Sequence, residues 1–157
     1  MNGARIYHIL FSDPHTRTIF NGFGYPDWNI NPKQFPALFI FNTDYSSGPG
    51  EHWCVGYFDS KSICEFFDPY GLSPEIYNLT PIIFNICDTI IYNKKQVQHL
   101  DAKTCGHHCL FYSLHRARNI SHIDILSKLY TNNTNENDSM VYNFLKKFGN
   151  VMSHIQE

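Results

Sequence analysis

The apolar spacing of the chain changes once, at Thr104, and that change limits what it can fold into. Before Thr104, short aromatic and β-branched runs alternate with turn residues. After it, Leu110, Phe111, Leu114 and Ala117 fall on one face at a period of about 3.6. A helix from Thr104 to near Asn119 is therefore expected at the centre of the core. Strands are expected at Ala37–Asn42, Trp53–Phe58, Ser62–Phe67 and Cys87–Tyr92. Asp59-Ser60-Lys61 would close the second and third as a hairpin, and Tyr45–Gly50 would form the turn after the first. This puts His52 at the mouth of one strand and Asp68 at the end of its neighbour.

Other elements are weaker in pattern. Ser73-Pro74-Glu75 marks a short helix start. Residues 13 to 36, with Pro14, Gly22, Gly24, Pro26, Pro32 and Pro36 among aromatics, read as an irregular, well-packed loop region. Helical patterns at Ile123–Tyr130 and Met140–Phe148 are split by a polar loop, Asn132–Asp138, with Gly149 as a stop. There is no internal repeat, and a single domain over residues 1–157 is expected.

A chain of 157 residues with 43% hydrophobic and 16% aromatic residues can bury a core without staples. A formal charge of −2 suits no polyanionic partner. The basic clusters Lys94-Lys95 and Arg116 with Arg118 read as solvated surface. No stretch approaches the run of about 20 apolar residues that a membrane helix needs, and Ile6–Phe11 is too short for a signal peptide. A soluble, intracellular monomer is the expectation. The five cysteines, an odd number, point to free thiols in a reducing compartment.

Free thiols allow nucleophilic chemistry, and the order His52, Asp68, Gln98, Cys105 gives its parts. With Thr104 as N-cap, Cys105 would open a helix, where backbone N–H groups and the dipole favour a thiolate. His52 would take the thiol proton and return it to a leaving amine. Asp68, held by the turn Pro69-Tyr70-Gly71, would fix the imidazole. Gln98, seven positions before the sulfur, would join the Cys105 N–H as an oxyanion donor. Gly106 would leave room for a substrate backbone. Two other readings stand beside this one. Cys105, His107, His108 and Cys109, with His99 and His115 nearby, could hold a metal, although a second Cys pair at zinc-site spacing is missing. A protease-shaped binding module without turnover is the other.

Glu51-His52-Trp53, the turn Phe67-Asp68-Pro69-Tyr70-Gly71-Leu72-Ser73, Val97-Gln98 and Thr104-Cys105-Gly106 resemble the adenovirus protease (adenain) family, relatives of the SUMO-specific and ubiquitin-like proteases. The resemblance runs from Ala37 to Asn119. It implies an α+β fold, a mixed central sheet packed against the Cys-bearing helix in a permuted papain-like arrangement. It implies a thiol endopeptidase with His52 as base, Asp68 as its partner, Gln98 as oxyanion donor and Cys105 as nucleophile. Trp53 matches the family Trp beside the cleft.

It further implies a virus-encoded enzyme that cuts structural precursors at Gly-containing sites during particle maturation, located in the host nucleus or cytoplasm and in the virion. The alternative substrate is SUMO or ubiquitin-like precursors, cut after Gly-Gly. No cofactor is required for the chemistry. Cys87 stands where the family's activating peptide would attach through a disulfide, and a buried strand thiol accounts for it equally. Family members are also stimulated by DNA, which the slightly acidic charge argues against.

Overall fold

Five short segments pair into one mixed sheet in sequence order: β1 (Phe20–Gly24), β2 (Ala37–Asn42), β3 (Trp53–Phe58), β4 (Ile63–Phe67) and β5 (Thr89–Tyr92). The computed structural model describes residues 1–155. The outer pairs β1–β2 and β4–β5 are parallel, whereas β2–β3 and β3–β4 are antiparallel. The central strands are apolar almost throughout because both faces of the sheet are covered. Leu38, Ile40, Val55 and Tyr57 face one layer with Ile6, Leu10 and Leu110, while Phe39, Phe41, Phe58 and Phe66 face the other with Leu79, Ile82 and Ile83.

The first layer is built from α1 (Gly3–Ser12), α4 (Cys105–Arg116) and α6 (Thr134–Ile155), and the second from the short α3 (Thr80–Phe84). Helix α4 is nearly encased: Cys109, Leu110, Phe111, Tyr112 and Leu114 are all buried. Its last turn is tied to the sheet by Arg116, which lies 4.0 Å over the Tyr57 ring and 3.1 Å from Glu65 Oε2. The nucleophile candidate thus stands at the start of a helix that cannot shift without disturbing the core.

Several expectations are corrected. Residues 13 to 36 are not wholly irregular. They hold α2 (Pro14–Arg17) and β1. Asp13 caps α2 by accepting the Thr16 N–H at 3.0 Å, with Pro14 at the first helical position, where its missing N–H costs nothing. Strand β1 carries Asn21, Gly22 and Gly24 rather than an alternating pattern, so only its partner β2 identifies it. The signal after Ser73 is a real cap, with Oγ accepting the Glu75 N–H at 3.3 Å, but it starts a 3-10 turn over Pro74–Tyr77.

At the C-terminal side, the pattern from Ile123 splits into α5 (His122–Asp124) and a π turn (Ile125–Leu129). The supposed polar loop supplies the first turn of α6, because Asn133 Oδ1 accepts the Glu136 N–H at 3.2 Å. Asn137 also bonds back to both backbone groups of Thr131. Gly149 does not stop the helix, whose packing outweighs the roughly 1 kcal/mol a mid-helix glycine costs.

One glycine in the sheet is dictated by a neighbour. The fully buried Phe41 ring lies across the backbone of β3, and a Cβ at Gly56 would sit 2.4 Å from its Cε2. The ring packs against Phe39 and Phe66, so a shift to admit the new atom would disturb both. Gly56→Ala should therefore lower unfolding free energy by about 1–3 kcal/mol, the usual cost of overpacking. Urea denaturation should show a lower midpoint at an unchanged slope.

Candidate active site

The Asp68–Gly71 turn at the end of β4 organises the site. Gly71 takes φ +73° and donates its N–H to the Asp68 carbonyl at 2.8 Å. A Cβ there would meet the Lys95 carbonyl carbon at 2.8 Å, so the turn requires glycine twice over. Its Pro69 carbonyl accepts the N–H groups of Val97 and Gln98 at 2.9 and 3.0 Å, which fastens the Gln98 segment to the Asp68 segment. Asn93 clamps Asp68 from beside β5, accepting its N–H at 2.9 Å and donating to its carbonyl at 2.6 Å.

The Asp68 side chain is fully buried and is held by donors on both oxygens. His52 Nε2 lies 2.6 Å from Oδ1, which also accepts the Tyr70 N–H at 3.0 Å. Oδ2 accepts the Tyr77 hydroxyl at 2.6 Å and the Leu72 N–H at 3.0 Å. Burial alone would raise the carboxyl pKa, but the hydrogen bond and charge of His52, with Tyr77 and the Tyr70 N–H, bring it below the usual carboxylate range.

His52 Nε2 engages Asp68, and the Cys105 sulfur lies near enough to act on the charge of the same ring. Desolvation lowers the imidazole pKa, yet Asp68 and Cys105 outweigh it and raise the value to about 9. Cys105 moves the other way. Burial pushes its thiol up, but the His52 hydrogen bond and charge, helped by the N–H groups of Trp53 and Gly106, leave it below the ordinary thiol range. The two shifts act together, holding a proton on the imidazole and favouring the ionised form of the thiol. The Tyr70 ring stacks on His52 at 4.5 Å between centroids and holds it flat.

Gln98 is buried beside this pair, and its Nε2 donates to the Ala102 carbonyl at 2.8 Å. Exchanging the amide atoms would set two oxygens against each other, so the nitrogen faces Ala102 and a second N–H remains for another acceptor. His52, Tyr70, Gln98, Asp101, Trp53 and Cys105 line a cleft of about 710 Å³. Three of the four residues expected from the sequence therefore line one crevice, and the fourth, Asp68, is buried behind His52 and bonded to it. Cys105 is the first residue of α4, as expected, although Thr104 does not cap with its side chain: that hydroxyl donates to Asp138 at 2.8 Å.

Trp53 does line the cleft, with its indole N–H donating to the Met1 carbonyl at 3.1 Å. The room expected beside Gly106 is not open, because the Met1 side chain packs there and a Cβ on Gly106 would lie 3.0 Å from Met1 Cβ. Cys87 is buried, its thiol directed at the carbonyls of Ile83 and Thr89. The rival metal set does not converge. His107 stacks with Tyr142, whereas His108 is engaged by Tyr130 and Asp138. Among the described residues, three potential ligands are gathered only at His52, Cys54 and Asp68, with ligand atoms within 4.8 Å of one another. That group is the buried side of the same site, and the Cys54 thiol there donates to Asp68 Oδ1 at 3.7 Å.

Tyr70, Tyr77 and Asn93 were not found by sequence reasoning. Tyr70 sits inside the turn that marked Asp68, and Tyr77 in the 3-10 turn after it, so their nearness to the carboxylate was the available signal. Asn93 had none.

The paired shifts set a pH dependence. Because the Cys105 value is lowered, its thiolate persists to lower pH than that of an unfolded thiol, and the imidazolium survives up to about pH 9. Alkylation of Cys105 by iodoacetamide should thus remain fast below the ordinary thiol range. In His52→Ala the rate should track the ordinary range, read as the midpoint of rate against pH. An unchanged midpoint would show that His52 does not activate the sulfur.

No family profile matches the chain. It is similar to a cysteine protease of African swine fever virus (Tick/Malawi isolate), 30% identical over 103 residues that cover 59% of this chain and 38% of the relative. It is also similar to a SUMO-1 cysteine protease of the Warthog/Namibia isolate, 28% identical over the same shares. The chain spans about two fifths of the length of these curated relatives. Among solved structures, a crystal structure of the African swine fever virus protease aligns with a TM-score of 0.41 at 26% identity, covering 64% of this chain and 41% of that one. No helix among the described residues is long and apolar enough to cross a membrane.

Proposed function

We propose that the chain is a virus-encoded cysteine endopeptidase that cuts structural precursor proteins at Gly-containing sites during particle maturation. The observation that carries this reading is the 2.6 Å contact of the buried Asp68 carboxylate with His52, whose ring shares the wall of one cleft with Cys105 and Gln98. Similarity to African swine fever virus cysteine proteases supports both the chemistry and the viral origin.

The Cys105 thiolate attacks the scissile carbonyl carbon, and the carbonyl electrons move to oxygen. Gln98 Nε2 and the Cys105 backbone N–H stabilise that oxyanion as it forms. Collapse expels the amine, which takes the proton from His52, and leaves a thioester on Cys105. Water then attacks the thioester, His52 takes its proton, and the acid product departs with the thiolate restored. Asp68 keeps the imidazole oriented and stabilises its charged form in both halves.

A specific observation favours a second reading, a SUMO or ubiquitin-like precursor protease cutting after Gly-Gly, because one relative is named as a SUMO-1 cysteine protease. Incubation with African swine fever virus polyprotein precursors and, separately, with SUMO-1 precursor distinguishes the two, with products identified by mass spectrometry. Cleavage of neither would contradict both. For whichever substrate is cut, Cys105→Ala should abolish turnover. Gln98→Ala should lower kcat by about 100-fold to 1000-fold with a much smaller change in KM. An intact kcat would remove Gln98 from the oxyanion role.

A further inference from the structure

Asp138 lies in the second turn of α6, outside the cleft, yet it holds both segments that build the oxyanion donors. Its Oδ2 accepts the backbone N–H of His99 at 3.1 Å. Its Oδ1 accepts the Thr104 hydroxyl and His108 Nε2–H, each at 2.8 Å. His99 follows Gln98, Thr104 precedes Cys105, and His108 is in the first turn of α4. One carboxylate therefore closes the segment 99–104 at both ends.

The His108 contact has a fixed direction. Burial drives this imidazole down to about 4 against the opposing pull of Asp138, so the ring is neutral near pH 7 and carries a single N–H. With Nε2–H on Asp138, Nδ1 accepts the Tyr130 hydroxyl at 3.0 Å. Tyr130 is itself buried against Phe111 of α4 and Phe67 of β4. The carboxylate thus meets three donors, and one of them, His108, is anchored in the core through Tyr130. Inside the closed segment, the Ala102 carbonyl holds the Gln98 amide, so the setting of that amide depends on the path of the segment.

We infer that Asp138 is a positioning residue for the reaction proposed above: it fixes the Gln98 amide relative to the Cys105 backbone N–H, the two donors that must meet one oxyanion. The inference rests on the protease reading. Asp138→Asn keeps the shape of the side chain but adds two N–H donors where three donors already converge, so at least one of these contacts must fail. Thr104→Val removes a single contact and is the milder variant.

The test compares wild type, both variants and their combinations with Gln98→Ala on a fluorogenic Gly-Gly-coumarin peptide. Asp138→Asn should lower kcat about 10-fold to 100-fold with KM within about twofold, and Thr104→Val should move kcat less in the same direction. Iodoacetamide alkylation of Cys105 should be unchanged, since that reaction forms no oxyanion. Added to Gln98→Ala, neither variant should cause a further loss, because the donor they position is already gone. Amide hydrogen exchange should accelerate over residues 98–106 and stay constant elsewhere. A merely structural role would instead slow alkylation and multiply with Gln98→Ala.

Unchanged kcat, multiplying losses, or unchanged exchange over 98–106 would overturn the inference. A wild-type chain that cuts neither this peptide nor the protein precursors counts against the protease reading. Exchange then decides the Asp138 claim by itself.

Discussion

A carboxylate with no exposure to water keeps its charge only if the protein supplies donors in place of solvent, and the site depends on how Asp68 obtains them. Desolvation of a carboxylate costs several kcal/mol. The donors come from separate parts of the chain: His52 before β3, Tyr70 and Leu72 in its own turn, and Tyr77 in the next one. The same contacts that keep Asp68 ionised therefore also fix the His52 ring. Without the carboxylate, His52 would be a buried imidazole with no reason to hold a proton. With it, the ring holds its proton up to about pH 9 and lowers the pKa of the Cys105 thiol.

The helix start contributes less than its position suggests. Cys105 opens α4, but Thr104 spends its hydroxyl on Asp138 rather than on capping. The N–H groups that bond the sulfur are those of Trp53 and Gly106, one from a strand and one from the helix. The Cys105 sulfur thus stands at a junction between sheet and helix. The core supports that junction through the encased α4 and its Arg116 contacts with Tyr57 and Glu65. Gln98 is tied to the same frame by the Pro69 carbonyl, so His52, Cys105 and Gln98 share one support.

The sequence made the catalytic candidates legible because each lies beside a strong local signal. His52 precedes an aromatic strand, Asp68 precedes a Pro-Tyr-Gly turn, and Cys105 stands where the apolar period changes. The central strands were legible for the same reason, since burial on both faces leaves continuous apolar runs. What could not be read depends on distant partners. Strand β1, with glycines at Gly22 and Gly24, exists because β2 offers it an edge and Phe41 lies across Gly24. The start of α6 looked like a loop because Asn, Thr and Glu are turn formers as well as capping residues, and only the contacts from Asn137 to Thr131 decide between these roles. Met1 filling the space at Gly106 had no local signature.

The central claim is that Asp68 keeps His52 protonated, so that the Cys105 thiol ionises below its ordinary range. Nitrogen-15 NMR titration of the His52 ring in the intact chain tests it most directly. Both ring nitrogens should show imidazolium shifts at pH 7, losing the proton only near pH 9, and Asp68→Asn should move that loss to lower pH. A neutral His52 ring at pH 7 in the unsubstituted chain would contradict the account.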